Sequence, residues 1–105
     1  MAWLYLGLAG ICEIGWPVGL KLGWTPQGLR PGWILFAVAA MSASGALLLW
    51  AQRTIPMGTA YAIWTGIGAV GAFAVGILAF GDSASTMRFV SIGLIVAGII
   101  GLKMA

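Results

Sequence analysis

The chain has 105 residues, of which 62% are apolar and only 7% are charged, and its formal net charge is +3. Its mean hydropathy is +1.08. A soluble domain needs more charge than this to cover its surface, so the composition excludes a soluble domain and indicates that the chain lies in the bilayer. The single Cys12 and the lack of histidine exclude an internal disulfide and a Cys/His metal cluster, and the five scattered bases form no run for nucleic acid.

Four apolar segments follow one another, separated by turn-forming residues. They predict four transmembrane helices, at about residues 2–20, 32–51, 57–80 and 85–103 of a single domain. The fold class is therefore all-α integral membrane. Because four thin helices could hardly enclose a sheltered cavity, we expect an oligomer. Five aromatic residues near segment ends fit the headgroup level: Trp3, Tyr5, Trp24, Trp33 and Trp50.

The first segment contains Glu13, the only acidic residue within any apolar segment. As a helix, residues 3–20 are about 27 Å long, and Glu13 falls about 15 Å from their start. An ionised carboxylate at that depth costs at least about 2.5–3.5 kcal/mol, which indicates a function: carrying a proton, binding a cation, or both in turn. Trp16 shares its helix face and suits an organic cation. A structural ion pair is the alternative, but no base lies at similar depth.

The second segment contains Ser42 and Ser44. Two residues apart, they face different ways on a helix, so at most one of them lines a cavity. The alternative is that each hydroxyl bonds to its own helix backbone.

The third segment places Tyr61 and Trp64 on one face, and Gly68 continues that face. The Tyr61 hydroxyl could bond to Glu13, since buried Tyr and Trp usually find partners. The glycines, including Gly66, allow either close helix packing or a bend, and the sequence does not separate the two.

The fourth segment carries Gly93, Ala97 and Gly101 at every fourth position. Such a stripe of small residues is typical of helix–helix interfaces in membranes, so it predicts the dimer interface.

The distribution of basic residues leaves the orientation open. Arg53 and Lys103 lie on one side of the membrane, and Lys21, Arg30 and Arg88 lie on the other. A difference of one base is too small to determine the topology. The chain either inserts with a weak preference or inserts both ways, and in the second case an antiparallel homodimer becomes possible.

Three motifs together resemble the small multidrug resistance family: AGICEIGW at 9–16, PMGTAYAIWTGIGA at 56–69 and GIIGLK at 98–103. The resemblance covers nearly the whole chain and is strongest to the guanidinium-exporter branch, because Trp16 follows the acid by three residues. It implies a dual-topology, antiparallel homodimer in the bacterial inner membrane that exchanges protons for guanidinium, without a cofactor.

The resemblance also implies residue roles. The shared substrate and proton site would comprise Glu13, Trp16, Ser44, Tyr61 and Trp64. Gly66 and Gly68 would form a helix bend at which the two subunits exchange conformations. Pro17 departs from the family pattern, where a small residue is usual, and its ring disfavours the hydrogen bond to the Glu13 carbonyl. The first loop, at 23–31, is also slightly long.

Alternatives to a guanidinium antiporter remain at this point. They are a broader quaternary-ammonium antiporter of the same family, a cation channel, a non-transporting small membrane subunit, and a heterodimer with a second chain. An enzyme is not expected, because the sequence has no nucleophile–base set, phosphate loop or metal-ligand spacing.

Overall fold

A computed structural model describes residues 1–105 as four helices and one short hairpin. The helices are α1 (Ala2–Gly23), α2 (Pro31–Ala51), α3 (Met57–Phe80) and α4 (Thr86–Met104). All four are long and apolar enough to cross a membrane. The prediction of an all-α membrane protein with four spans is therefore confirmed.

The helix ends follow from local chemistry. Pro31 occupies the first turn of α2, where its missing N–H costs no hydrogen bond. Gly81 ends α3 in the left-handed conformation, with φ of 69°, which glycine adopts without a Cβ clash. Ser85 caps α4, its hydroxyl accepting from the Arg88 amide at 3.4 Å.

Between α1 and α2 lies a β-hairpin for which the sequence indicated only a turn. Strands β1 (Trp24–Thr25) and β2 (Gly28–Leu29) pair antiparallel. The hydroxyl of Thr25 donates to the carbonyl of Gly28 at 2.8 Å, and Gly28 has a φ of 116°. α1 itself continues three residues beyond Leu20 and is unbroken at Pro17.

α1 lies between α2 and α3, and α4 packs at the edge against α3. Glycines allow the close approaches between helices: Gly10 lies against Ile67, Gly71 against Ile14, and Gly19 against Ala37. This arrangement brings the middle of α1 into contact with both of its neighbours.

Little of the single chain is buried. Only 14 of its 105 residues are buried, and none of them is in α4. The main buried cluster comprises Leu6, Ala51, Ile55, Ala60 and Ile63. Most of the apolar surface therefore remains available to lipid or to another protein chain.

Candidate functional site

Glu13 lies half-buried near the middle of α1, about 16 Å from its start along the helix axis. The only other acid, Asp82, lies just after α3, and the five bases lie at helix ends or in loops. No basic side chain of this chain therefore neutralises Glu13 at its depth. Because an uncompensated charge is costly there, the carboxylate needs a proton or a cation from outside the chain.

Ser44 of α2 connects all three packed helices at this level. Its hydroxyl oxygen lies 2.7 Å from the Ala9 carbonyl oxygen, 3.3 Å from Oε2 of Glu13, and 2.7 Å from Nε1 of Trp64. It is the only buried polar or charged residue and is fully inaccessible to solvent. Its three partners come from α1 and α3, so one serine positions the acid relative to both helices.

The Ser44 hydroxyl has one proton and three neighbours. The Trp64 indole can only donate, so it supplies a hydrogen bond to Ser44 Oγ in every state. The Ser44 proton is then available to either the Ala9 carbonyl or an ionised Glu13, but not to both at full strength. A protonated Glu13 can instead donate to Ser44, which leaves the serine proton on Ala9. Only an ionised Glu13 can therefore compete with the Ala9 carbonyl for the Ser44 proton.

Gly68 of α3 lies against the Glu13 side chain. A Cβ added at Gly68 would fall 2.5 Å from Cγ of Glu13 and 3.2 Å from its Cβ, much closer than carbon atoms tolerate. The missing side chain therefore makes the space that Glu13 occupies.

One oxygen of Glu13 remains free. Oε2 faces Ser44, whereas Oε1 has no hydrogen-bond partner. No buried side-chain oxygen or nitrogen lacks a partner, so Oε1 is accessible from outside the chain. Trp16 is half-buried one turn further along α1. An accessible carboxylate oxygen on the helix face that carries an indole can attract an organic cation by charge and by a cation–π contact.

Tyr61 does not reach Glu13 within one chain. Its ring stacks at a tilt on Trp64, with centroids 5.4 Å apart, and it is 57% exposed. It precedes Gly68, which contacts Glu13, by seven residues, or about 10 Å along the helix axis. The possible Tyr61–Glu13 hydrogen bond is therefore absent in the single chain, and Tyr61 lies at the edge of the site.

Ser42 lies outside the site. Its hydroxyl donates to the Val38 carbonyl of its own helix at 2.9 Å, and the residue is exposed. Of the two serines in α2, only Ser44 contacts Glu13.

Gly66 and Gly68 lie within an unbroken α3. Gly66 lies against Ile99 of α4, where a Cβ would fall 2.8 Å from Cδ1 of the isoleucine. Both glycines therefore serve close packing in this conformation, one toward α4 and one toward Glu13, and the bend stays a prediction.

The stripe on α4 is separate from the site. Gly93, Ala97 and Gly101 are all exposed, and a Cβ added at either glycine would meet no atom within 4 Å. This surface has no partner within the chain.

Two contacts of the site could not be read from the sequence. The Ala9 carbonyl carries no side-chain signal, and the contact of Gly68 with Glu13 depends on how α1 and α3 are rotated about their axes. The structure contains no group of His, Cys, Asp or Glu side chains that could hold a metal ion.

Comparison with known proteins gives one consistent result. Residues 1–95 match the family described as Small Multidrug Resistance protein. A protein of Salmonella typhimurium (strain LT2) named Guanidinium exporter is 55% identical over 105 residues, covering 100% of this chain and 98% of the relative. Proteins of the same name from Citrobacter freundii and Escherichia coli (strain K12) are 54% and 52% identical, with the same coverage of both chains.

Proposed function

This chain belongs to the small multidrug resistance family, and we propose that it is a proton-coupled antiporter that exports guanidinium and small guanidinyl cations. With four spanning helices and bacterial relatives along its whole length, it is a multi-pass protein of the bacterial inner membrane. The observation that carries the proposal is a mid-membrane carboxylate, held by Ser44 and without a basic partner.

The chemistry of Glu13 suits a guanidinium ion. Guanidinium is planar and presents N–H donors in a fork that matches a carboxylate bidentately. Oε1 is open and Oε2 has only one long bond, of 3.3 Å, to Ser44. Both oxygens can therefore accept from the cation, while Trp16 offers an aromatic face. The name shared by the relatives supports the same substrate.

Competition at Glu13 couples the cation to protons. A protonated carboxyl has no charge to bind guanidinium, so each site holds one or the other. When Glu13 gives up its proton, the Ser44 hydroxyl can turn from the Ala9 carbonyl toward the carboxylate. Uptake of a proton reverses that bond and releases the cation.

The working unit we propose is an antiparallel homodimer of copies with opposite orientation. Three observations support it: the nearly equal number of bases on the two sides, the accessible edge of Glu13, and the unpartnered α4 stripe of Gly93, Ala97 and Gly101. Two copies would share one pocket lined by both Glu13 residues, with Trp16, Tyr61 and Trp64 around it. Bending at Gly66 and Gly68 would let the pocket open to either side in turn.

Transport in proteoliposomes tests the proposal. With an inward proton gradient across vesicles preloaded with substrate, we expect efflux of guanidinium and little efflux of tetraethylammonium. Efflux of tetraethylammonium at the same rate would favour the broader antiporter. Conduction of guanidinium that does not depend on protons would favour a channel.

A further inference from the structure

A cavity lies at the end of the bundle where α1 begins and α4 ends. Its volume is about 1010 Å³, and its walls come from the start of α1, the loop between α2 and α3, and the last turn of α4. It is separate from the Glu13 site, because neither Glu13 nor its hydrogen-bond partners line it.

The only charged side chains that line this cavity are basic. Arg53 and Lys103 contribute to the walls, and no Asp or Glu does. Of the two acids in the chain, Glu13 lies in the middle of α1 and Asp82 lies beyond the far end of α3. No acidic side chain therefore neutralises Arg53 and Lys103. Met1 and Ala105 also line the cavity, and because their terminal charges are opposite and cancel, the two bases leave a net positive charge that favours an anion.

Aromatic residues place the cavity at the membrane–water interface. Trp3, Tyr5 and Trp50 line it, and the Tyr5 and Trp50 rings lie 5.9 Å apart. Nζ of Lys103 lies 5.1 Å from the centre of the Trp3 ring, which connects the end of α4 to the start of α1. Trp and Tyr prefer the depth of the lipid headgroups, so the two bases lie where lipid phosphates lie.

We propose that this cavity binds the headgroup of an anionic phospholipid. Arg53 presents a fork of donors that matches phosphate bidentately, and Lys103 adds a compact second charge. The aromatic walls and Leu102 provide an apolar surface for the glycerol and the first part of the acyl chains. Basic pockets between transmembrane helices commonly take such headgroups.

A second copy of the chain would neutralise the two bases of this cavity less well than an anionic lipid. A copy inserted in the opposite direction would bring Lys21, Arg30 and Arg88 to this face together with the single acid Asp82. Association of two copies therefore increases the positive charge on the face, and an anionic lipid lowers it.

Native mass spectrometry of the detergent-purified full chain tests the proposal. Phosphatidylglycerol and phosphatidylcholine with identical acyl chains are added at equal concentration. Each base near an anionic headgroup favours binding about five-fold, so the pair predicts a preference of about 25-fold for phosphatidylglycerol. R53Q/K103Q should reduce that preference to near unity. The matched control R30Q/R88Q removes the same charge at the other end of the bundle and should keep the preference for phosphatidylglycerol.

Several results would overturn the proposal. Equal binding of the two lipids by the unmodified chain is one, and this comparison needs no variant to fold. Retention of the preference by R53Q/K103Q, or an equal loss in R30Q/R88Q, is another. Displacement of the lipid by millimolar inorganic phosphate would identify free phosphate as the ligand. A fall in the dimer fraction of R53Q/K103Q without loss of lipid preference would identify a second copy as the occupant.

Discussion

Gly68 lies directly against Glu13, and the absence of a side chain at position 68 gives the carboxylate its place. The glycine belongs to α3 and the acid to α1, so Glu13 contacts the helix in which the family resemblance predicts a bend.

Gly68→Ala should weaken guanidinium binding about 10- to 100-fold, because the added methyl group displaces Glu13 by a substantial fraction of an ångström or more. The measurement is calorimetric titration of the purified protein with guanidinium. The control is Gly45→Ala, since Gly45 lies in α2 with no atom within 4 Å of an added Cβ. Equal affinity in both variants would contradict the contact role.

Ser44→Ala should destabilise the chain by about 1–2 kcal/mol and weaken guanidinium binding, because Trp64 Nε1 loses its acceptor and Glu13 loses a donor. Ser42→Ala should change stability by less than about 0.5 kcal/mol, since the Ser42 hydroxyl bonds only to its own helix. Unfolding in increasing fractions of denaturing detergent measures the stability of the two variants, and calorimetric titration measures their affinity for guanidinium. A larger loss in Ser42→Ala would mean that the hydrogen-bond network does not hold the site.

Trp16→Ala should raise the guanidinium dissociation constant about two- to thirty-fold, as expected for the loss of one cation–π contact. Trp24→Ala removes an equally large ring from the exposed hairpin and should leave the constant unchanged. Titration calorimetry distinguishes the two variants. If Trp16→Ala binds as tightly as the unmodified chain, the indole has no part in recognition.

Gly93→Leu should convert the proposed dimer to a folded monomer. The glycine is exposed and unpartnered within the chain, so a larger side chain fits the single chain but keeps a second α4 at a distance. Ala79→Leu adds bulk at an exposed position of α3 and serves as the control. Sedimentation in detergent gives the mass of each. If Gly93→Leu remains a dimer, the dimer interface does not lie on this stripe.

Much of the architecture could be predicted because composition alone determines it. Apolar runs of bilayer length specify four spans, and a lone acid such as Glu13 stands out without any knowledge of its neighbours. The hairpin of β1 and β2 was not predicted, because residues 24–29 carry only general turn signals. Likewise, the sequence could not show that the Tyr61 ring lies against Trp64 and makes no hydrogen bond to Glu13 in the single chain.

The contacts around Glu13 needed the structure for a different reason. Helical spacing places Glu13 on a face of α1, but it does not say which face of α3 meets it. By sequence, the glycines of α3 fit both a bend and close packing. Only the structure shows that Gly66 lies against α4 and Gly68 against the acid. The Ala9 carbonyl, as a backbone group, had no sequence signature at all.

We propose above that Glu13 exchanges a proton for a guanidinium ion. The most direct test records proton movement in proteoliposomes when a guanidinium gradient is applied, comparing the unmodified chain with Glu13→Gln and with Asp82→Asn, which removes the other carboxylate. We predict proton flux opposite to guanidinium in the unmodified chain and in Asp82→Asn, and none in Glu13→Gln. Coupled flux in Glu13→Gln, or guanidinium transport without proton movement in the unmodified chain, would rule out proton exchange at Glu13.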